Sequence, residues 1–244
     1  MLGADPQHRD SSIRFVRTHW RTALDIVTTI AVLGAAVVII ASRFQGARPN
    51  DVRATIPIPK IPVSLEGAAL SGNPSAPVGI LVFSDFQCPF CGQFARNVLP
   101  DIKKSYVDTD RAQLAFRHLP LTMHPLAMRA AEAAECARRQ DKFWEMHDQM
   151  FREPARLEKT DLLGYARSIG VDSTRFQECM SSADAAAHVE QDRAAAHDLG
   201  VETTPMIMIG AIQSGGSLKV QRLISGARPY QEFQVAIDAI LNRR

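Results

Sequence analysis

The sequence lacks a strong excess of charge of either sign. Its 28 lysines and arginines nearly balance 26 aspartates and glutamates, which leaves a formal net charge of +2. Apolar residues make up an ordinary 46% of the 244 positions. This composition does not mark the chain as a nucleic-acid-binding protein or as a disordered one, and its length suits one good-sized domain or two small ones. The sequence also contains no internal repeat.

Cysteine is scarce, with four residues in the whole chain. Two of them, Cys88 and Cys91, form a C-x-x-C pair, whereas Cys136 and Cys179 stand alone and far apart. A structural zinc site needs four ligands, and no histidines follow the pair with a recognisable zinc spacing. The pair therefore favours a redox dithiol. Half of a zinc site and an inert structural disulfide remain the alternatives.

The C-x-x-C pair lies where a strand passes into a helix. The apolar, branched residues 78–83 before it predict a buried strand. The residues after it repeat every four positions, as one face of a helix does: Phe94, Val98, Ile102 and Tyr106. Pro89 suits the first helical position, so Cys88 is expected at or next to the N-cap, where free N–H groups and the helix dipole stabilise a thiolate. Cys91, one turn further on, would resolve the mixed disulfide that Cys88 forms.

A membrane segment is predicted near the N-terminus. The uncharged apolar run of residues 26–42 extends to residues 24–43, about the length that crosses a bilayer. Arginines crowd its N-terminal side, so the positive-inside rule places residues 1–23 in the cytoplasm and the rest of the chain outside. A cleavable signal peptide and a buried core helix are the alternatives. The prolines of residues 44–62 predict an extended linker, or else an ordered arm packed along the domain.

The remaining chain, residues 63–244, begins with a strand–helix–strand pattern. A short first strand is expected from Val63 to about Leu70. The strand before the cysteines, the helix after them and a strand at residues 113–119 make a βαβ unit with a parallel strand pair. Pro100 falls inside the helical pattern and should kink the helix.

A helical block and a hairpin complete the pattern. Residues from about 126 to 199 are helical, with Asp141 and Thr160 as candidate helix caps. Two further strands, at residues 206–209 and 218–224, flank a turn with two glycines and predict a hairpin. A last helix follows.

Together these features resemble DsbA-type thiol–disulfide oxidoreductases. The resemblance rests on the run from Val82 to Cys91 (VFSDFQCPFC), the helical block, Thr204-Pro205 before a strand, and the terminal helix. It covers roughly residues 63–242 and implies an α/β thioredoxin fold with an inserted all-helical subdomain, here preceded by a single N-terminal transmembrane helix. In that family the proline that matches Pro205 is cis and faces the redox pair, so Thr204 and Pro205 are expected to line the substrate site.

The sequence departs from the family in two places. The dipeptide between the cysteines is Pro89-Phe90, whereas the strongly oxidising members carry Pro-His. Phe90 cannot donate a hydrogen bond or a charge to the sulfur of Cys88, so a milder oxidant is expected. Many relatives also have a buried acid in the strand before the pair, where this chain has apolar residues. Asp85 lies nearby, either with a catalytic role or as a loop or capping carboxylate.

Four other residues have two interpretations each. In an oxidising compartment Cys136 and Cys179 are expected to pair as a structural disulfide, and the alternative is two separately buried thiols. His118 and His124 follow the second strand, and they lie either near the active site or at ordinary surface or core positions.

The function expected is that of a membrane-anchored, extracytoplasmic thiol:disulfide oxidoreductase that forms disulfides in exported proteins by exchange through Cys88 and Cys91. It needs no metal or organic cofactor. The expected partners are exported proteins with cysteines and a membrane redox partner, which is a DsbB-like or vitamin-K-epoxide-reductase-like oxidase, or an electron donor if the enzyme is a reductase. Nucleic acid is not an expected partner. A reductase or isomerase of the same fold, and a redox-inactive binding or chaperone module, are the alternatives.

Overall fold

The computed structural model of the protein describes residues 57–243, which are built around a mixed β-sheet. Its strands are β1 (Val63–Ser64), β2 (Ala69–Ser71), β3 (Val78–Ser84), β4 (Ala112–His118), β5 (Met206–Ile212) and β6 (Ser217–Ser225). They lie in the order β1-β6-β5-β3-β4-β2. β3 and β4 are parallel, and the other neighbouring pairs are antiparallel. The predicted parallel pair is confirmed.

Helices cover both faces of this sheet and form a separate block beside it. They are α1 (Pro89–Asn97), α2 (Leu99–Ile102), α3 (Ala127–Arg138), α4 (Phe143–Arg152), α5 (Lys159–Ser168), α6 (Ser173–Ser181), α7 (Ala183–Asp198) and α8 (Tyr230–Leu241). A π-helical turn, Lys103–Val107, follows α2. The helices α1, α2 and α8 pack on one face of the sheet, and α7 contributes Ala196 to the core on the other face.

β3 is the central strand of the sheet, and all seven of its residues are buried. Val78, Ile80 and Val82 belong to the core under α1 and α8, whereas Leu81 and Phe83 belong to the core on the opposite face. A strand covered on both faces needs a nearly continuous apolar run, which explains its sequence. Because β3 lies between β4 and β5, its carboxyl end is flanked by the end of β4 and by the beginning of β5.

The helix after the cysteines is interrupted, as Pro100 predicts. α1 ends at Asn97, α2 begins at Leu99, and Val98 between them leaves the helical conformation at φ −123° and ψ −47°. Pro100 has no N–H to donate to the carbonyl four residues earlier, so a regular helix cannot continue through it.

The single first strand predicted from Val63 to Leu70 is wrong. β1 pairs with β6 at one edge of the sheet, and β2 pairs with β4 at the other edge. Between them Gly67 adopts a φ of +81°, which glycine tolerates without a steric penalty, and the N–H of Ala68 bonds to the carbonyl of Leu65 in a turn. That turn redirects the chain from one edge of the sheet towards the other.

Two predicted helix caps are also wrong. Asp141 has a φ of +58° and its N–H bonds to the carbonyl of Arg138, so it belongs to the turn that ends α3. Lys142 is the N-cap of α4. Thr160 lies within the first turn of α5, whose N-cap is Glu158.

The inserted helical subdomain, predicted at about residues 126–199, comprises α3 to α7 and is confirmed. Within residues 57–243 no helix is both long and apolar enough to cross a membrane. The cytoplasmic segment and the transmembrane helix, predicted at residues 1–23 and 24–43, lie outside the described residues. So does most of the linker predicted at residues 44–62, of which the described part, from Pro57, forms neither helix nor strand.

Candidate active site

The cysteine pair lies at the carboxyl end of β3, where the chain enters α1. Cys88 is the N-cap residue of α1, with an extended φ of −71° and ψ of 124°, and Pro89 opens the helix. The carbonyl of Cys88 accepts the N–H of Gly92 at 3.1 Å, which closes the first helical turn. The sulfur of Cys88 therefore lies beside the free N–H groups of the helix start.

Both cysteines are free thiols and both are buried, Cys91 completely and Cys88 with 6% exposure. The Sγ of Cys88 lies 3.5 Å from the carbonyl oxygen of Thr204, and the Sγ of Cys91 accepts the N–H of Asp85 at 3.4 Å. The small exposed area of Cys88 is the part of the pair that an incoming sulfur can reach.

The surroundings of Cys88 favour its thiolate. A hydrogen bond from the side chain of Cys91 contributes most. Together with the backbone N–H groups of Phe90 and Cys91 it lowers the pKa of Cys88 to about 5, although burial acts against it. At neutral pH Cys88 is therefore a thiolate, which is the nucleophilic form of cysteine and also a good leaving group.

Cys91 behaves in the opposite way. Burial raises its pKa well above the ordinary value, and the neighbouring Cys88 raises it further. A hydrogen bond with the Ser84 side chain and the N–H of Asp85 partly counteract this rise. Sequence reasoning did not single out Ser84. The signal available was its place as the last residue of β3, next to the loop that carries the pair.

Thr204 and Pro205 lie on the β5 side of the pair. The peptide bond between them is cis, and Thr204 is 8% exposed. Within residues 57–243 the hydroxyl of Thr204 is buried without a hydrogen-bond partner. The carbonyl of Thr204, which contacts Cys88, places this residue against the reacting sulfur.

Asp85 has the geometry of a loop-capping carboxylate. It is 1% exposed, and its carboxylate accepts the N–H groups of Gln87 at 2.7 Å and Leu121 at 2.9 Å. The Nδ1 of His124 lies 2.6 Å from the same carboxylate. His124 is thus close to the redox site. Sequence reasoning did not find its contact with Asp85, because the two residues are 39 positions apart in the chain.

His118 occupies a core position instead. Its ring packs among Phe86, Phe116 and Phe143, with centroid distances of 5.3 to 6.1 Å. Burial lowers the pKa of His118 to about 3, so the imidazole is neutral at physiological pH. Within residues 57–243 its Nδ1 has no hydrogen-bond partner.

Phe90, between the two cysteines, is 56% exposed. An aromatic ring with no hydrogen-bonding group stands at this position beside the thiolate, so the hydrogen bonds to Cys88 come from the main chain and from Cys91. Phe90 instead adds apolar surface beside the reactive sulfur.

The other two cysteines form a disulfide between α3 and α6. The sulfurs of Cys136 and Cys179 are bonded, with the Cα atoms 5.7 Å apart and a separation of 43 positions in the chain. The bond lies in the helical subdomain, where Cys136 is part of a core that also includes Phe86 and both active-site cysteines. Within residues 57–243 no group of three or more histidines, cysteines or acids is arranged to hold a metal ion.

Comparison with known proteins places the chain in a family. A family model described as Thioredoxin matches residues 64–239. The chain belongs to the thioredoxin family. Among solved structures it is similar to α-DsbA1 from Wolbachia pipientis (TM-score 0.65, 24% identity, 74% of this chain and 94% of that one). It is also similar to a thioredoxin-like oxidoreductase from Silicibacter pomeroyi (TM-score 0.60, 26% identity, 72% and 94%). The predicted DsbA-type fold is confirmed.

Curated relatives of this thioredoxin-family chain are longer proteins. A protein named Na⁺/H⁺ antiporter NhaA 3 from Salinispora tropica is 36% identical over 164 residues, which are 67% of this chain and 24% of the relative. A protein named Na⁺/H⁺ antiporter NhaA 1 from Mycobacterium sp. strain KMS is 31% identical over 166 residues, which are 67% of this chain and 27% of the relative. The chain thus spans about a quarter of the length of these relatives.

Proposed function

We propose that this protein is a membrane-anchored, extracytoplasmic oxidoreductase that forms disulfides in exported proteins. The observation that carries the proposal is the stabilised thiolate of Cys88, whose pKa is about 5. Stabilising the reduced form of a dithiol raises its reduction potential and makes its disulfide a stronger oxidant. The hydrogen bonds to Cys88 therefore favour the oxidase direction.

The exchange proceeds in two steps. A substrate thiolate attacks the Sγ of Cys88, the Cys88–Cys91 bond breaks, and Cys91 leaves and takes up a proton, which its high pKa favours. A second substrate thiolate then attacks the substrate sulfur of the mixed disulfide, and Cys88 leaves as a thiolate. Two electrons pass from the substrate dithiol to the cysteine pair, and the second thiol proton goes to solvent. A membrane partner would reoxidise the pair.

Two observations support an oxidising, membrane-bound location. The Cys136–Cys179 bond is of the kind that persists in extracytoplasmic proteins and is rare in the cytosol. Domains similar to this one belong to longer proteins named Na⁺/H⁺ antiporters, and an antiporter works in a membrane. The apolar run at residues 26–42 would supply the anchor here.

The reduction potential of the full-length protein, equilibrated with glutathione, tests the direction. A value of about −120 mV identifies a disulfide donor, whereas a value of about −270 mV supports a reductase with an electron-donating partner. Exposed Phe90 is the feature that favours the second outcome, because it offers no hydrogen bond to the thiolate. A Cys88→Ser variant that keeps full biological activity would instead indicate a redox-inactive binding module.

Anchoring is tested separately on the mature protein. The full-length chain should sediment with membranes and keep its first residues, and a variant without residues 1–43 should be lost from the membrane fraction. N-terminal sequencing that begins beyond Arg43 would show a cleaved signal peptide and exclude the anchor.

A further inference from the structure

Asp85 contacts both active-site cysteines through its main chain. Its N–H donates to the Sγ of Cys91 at 3.4 Å, and its carbonyl accepts the N–H of Cys88 at 3.2 Å. Because the positions of both cysteines depend on this one residue, a small movement of its backbone alters the hydrogen bonds that stabilise their sulfurs.

The side chain of Asp85 is fixed by charge-assisted contacts. Its carboxylate is fully buried, and a buried carboxylate is stable only when its oxygens are paired. Two of its partners are main-chain N–H groups, of Gln87 and Leu121. The third is the Nδ1 of His124 at 2.6 Å, the only one of the three contacts that involves a side chain.

His124 belongs to the loop of residues 119–126 between β4 and α3. A second contact ties this loop to the redox segment, since the N–H of Leu126 donates to the Oε1 of Gln87 at 2.8 Å. His124 itself is 17% exposed at its side chain, and its neighbour Met123 is 76% exposed. The loop thus reaches the surface on the β4 side of Cys88, opposite the β5 side where Thr204 lies.

We propose that His124 is a positioning residue of the redox site, which acts through Asp85 to hold the two cysteines in the geometry that stabilises the Cys88 thiolate. The inference rests on the thiol–disulfide chemistry proposed above. Without the imidazole, the buried carboxylate loses a close partner and the main chain between the cysteines and the loop is less restrained. The negative charge of the Asp85 carboxylate also has one hydrogen-bond partner fewer, so it acts more strongly on the nearby cysteine pair. Both effects disfavour a second anion at Cys88.

The test compares three variants of the full-length protein with the wild type. His124→Ala removes the contact, and His124→Asn keeps an N–H donor close to the position of Nδ1. Asp148→Ala is the matched control, because it removes another aspartate–histidine contact, the 2.8 Å contact to His147. Asp148 lies in α4, outside residues 85–91 and outside the loop of residues 119–126. Two quantities are measured: the pH midpoint of thiolate absorbance at 240 nm in the reduced protein, and the equilibrium constant with glutathione.

His124→Ala should raise the thiolate midpoint and shift the glutathione equilibrium towards the protein disulfide by about 2- to 30-fold, the range of indirect couplings between residues. His124→Asn should stay within about twofold of wild type, and Asp148→Ala should not differ from it. A folded His124→Ala protein with wild-type values in both measurements would overturn the inference. If His124→Ala does not fold, His124→Leu replaces it, with the same two outcomes.

The wild-type measurement separates this inference from the proposed function. A wild-type thiolate midpoint near the ordinary cysteine value would count against the redox proposal itself. A low wild-type midpoint that His124→Ala leaves unchanged would remove only the role of His124.

Discussion

Removing the thiol of Cys91 should make Cys88 a markedly weaker acid. The hydrogen bond from the Cys91 side chain is the largest contribution to the low pKa of Cys88. A hydrogen bond to a charged group is worth about 1.5–3 kcal/mol, and each pKa unit corresponds to about 1.36 kcal/mol. Cys91→Ala should therefore raise the pKa of Cys88 from about 5 by about 1 to 2 units.

The new pKa should stay below the ordinary value for cysteine. The backbone hydrogen bonds of Phe90 and residue 91 remain in the variant. A Cys91→Ser variant is the matched control, because its hydroxyl still donates to the sulfur of Cys88. The serine variant should titrate close to the wild type, with at most half of the shift that alanine produces.

Thiolate absorbance at 240 nm, followed from about pH 3 to pH 9, measures the midpoint directly. The rate of alkylation is a second measurement. At pH 5 the alanine variant should react about 5- to 50-fold more slowly, in proportion to its smaller thiolate fraction, an effect that the higher intrinsic reactivity of a more basic thiolate partly offsets. Equal midpoints for the alanine and serine variants would refute the assignment of Cys91 as the main donor to Cys88.

Three further predictions concern the dipeptide, the second disulfide and a buried histidine. Phe90→His should make the protein more oxidising, by about 30 mV for each 1.4 kcal/mol of added thiolate stabilisation, while Phe90→Ala should not; equilibration with glutathione distinguishes them. Replacing Cys136 and Cys179 by alanine releases a loop that spans 43 positions and should lower the free energy of unfolding by about 4 kcal/mol in urea titrations; an unchanged midpoint would show that the bond contributes nothing. His118 has a folded pKa of about 3, below its ordinary value, so its contribution to stability is present above about pH 6.5 and is lost as pH falls towards 3. Between pH 7 and pH 4 the protonation of His118 should lower the free energy of unfolding by about 3 kcal/mol, and His118→Phe should abolish that part of the decrease. Urea unfolding at both pH values measures it, and an identical pH dependence in the variant would contradict this reasoning.

The position of the cysteine pair was predictable because its signals are local. A continuous apolar run before the pair, Pro89 after Cys88, and helical periodicity beyond it are read from neighbours in the chain. The break at Pro100 is equally local, since it follows from the missing N–H of proline. The helical block could be predicted for the same reason.

The two edge strands were not predictable by the same means. β1 and β2 have two and three residues, too few for a period to be visible. Their separation depends on a turn at Gly67 and on which edge of the sheet offers a free partner strand. The helix start near Asp141 was misplaced because a positive φ at a non-glycine residue is set by the surrounding turn rather than by its own preference.

The sequence by itself determined that a dithiol would stand at a strand-to-helix junction, since that requires only contiguous residues with the right hydrophobicity and a proline at the helix start. Tertiary structure alone decided what surrounds the two sulfurs. Thr204 reaches Cys88 because β5 lies on one side of β3, and His124 reaches Asp85 because β4 lies on the other. Those contacts join residues that are 116 and 39 positions apart, and the order of strands in the sheet, which no local pattern encodes, brings them together.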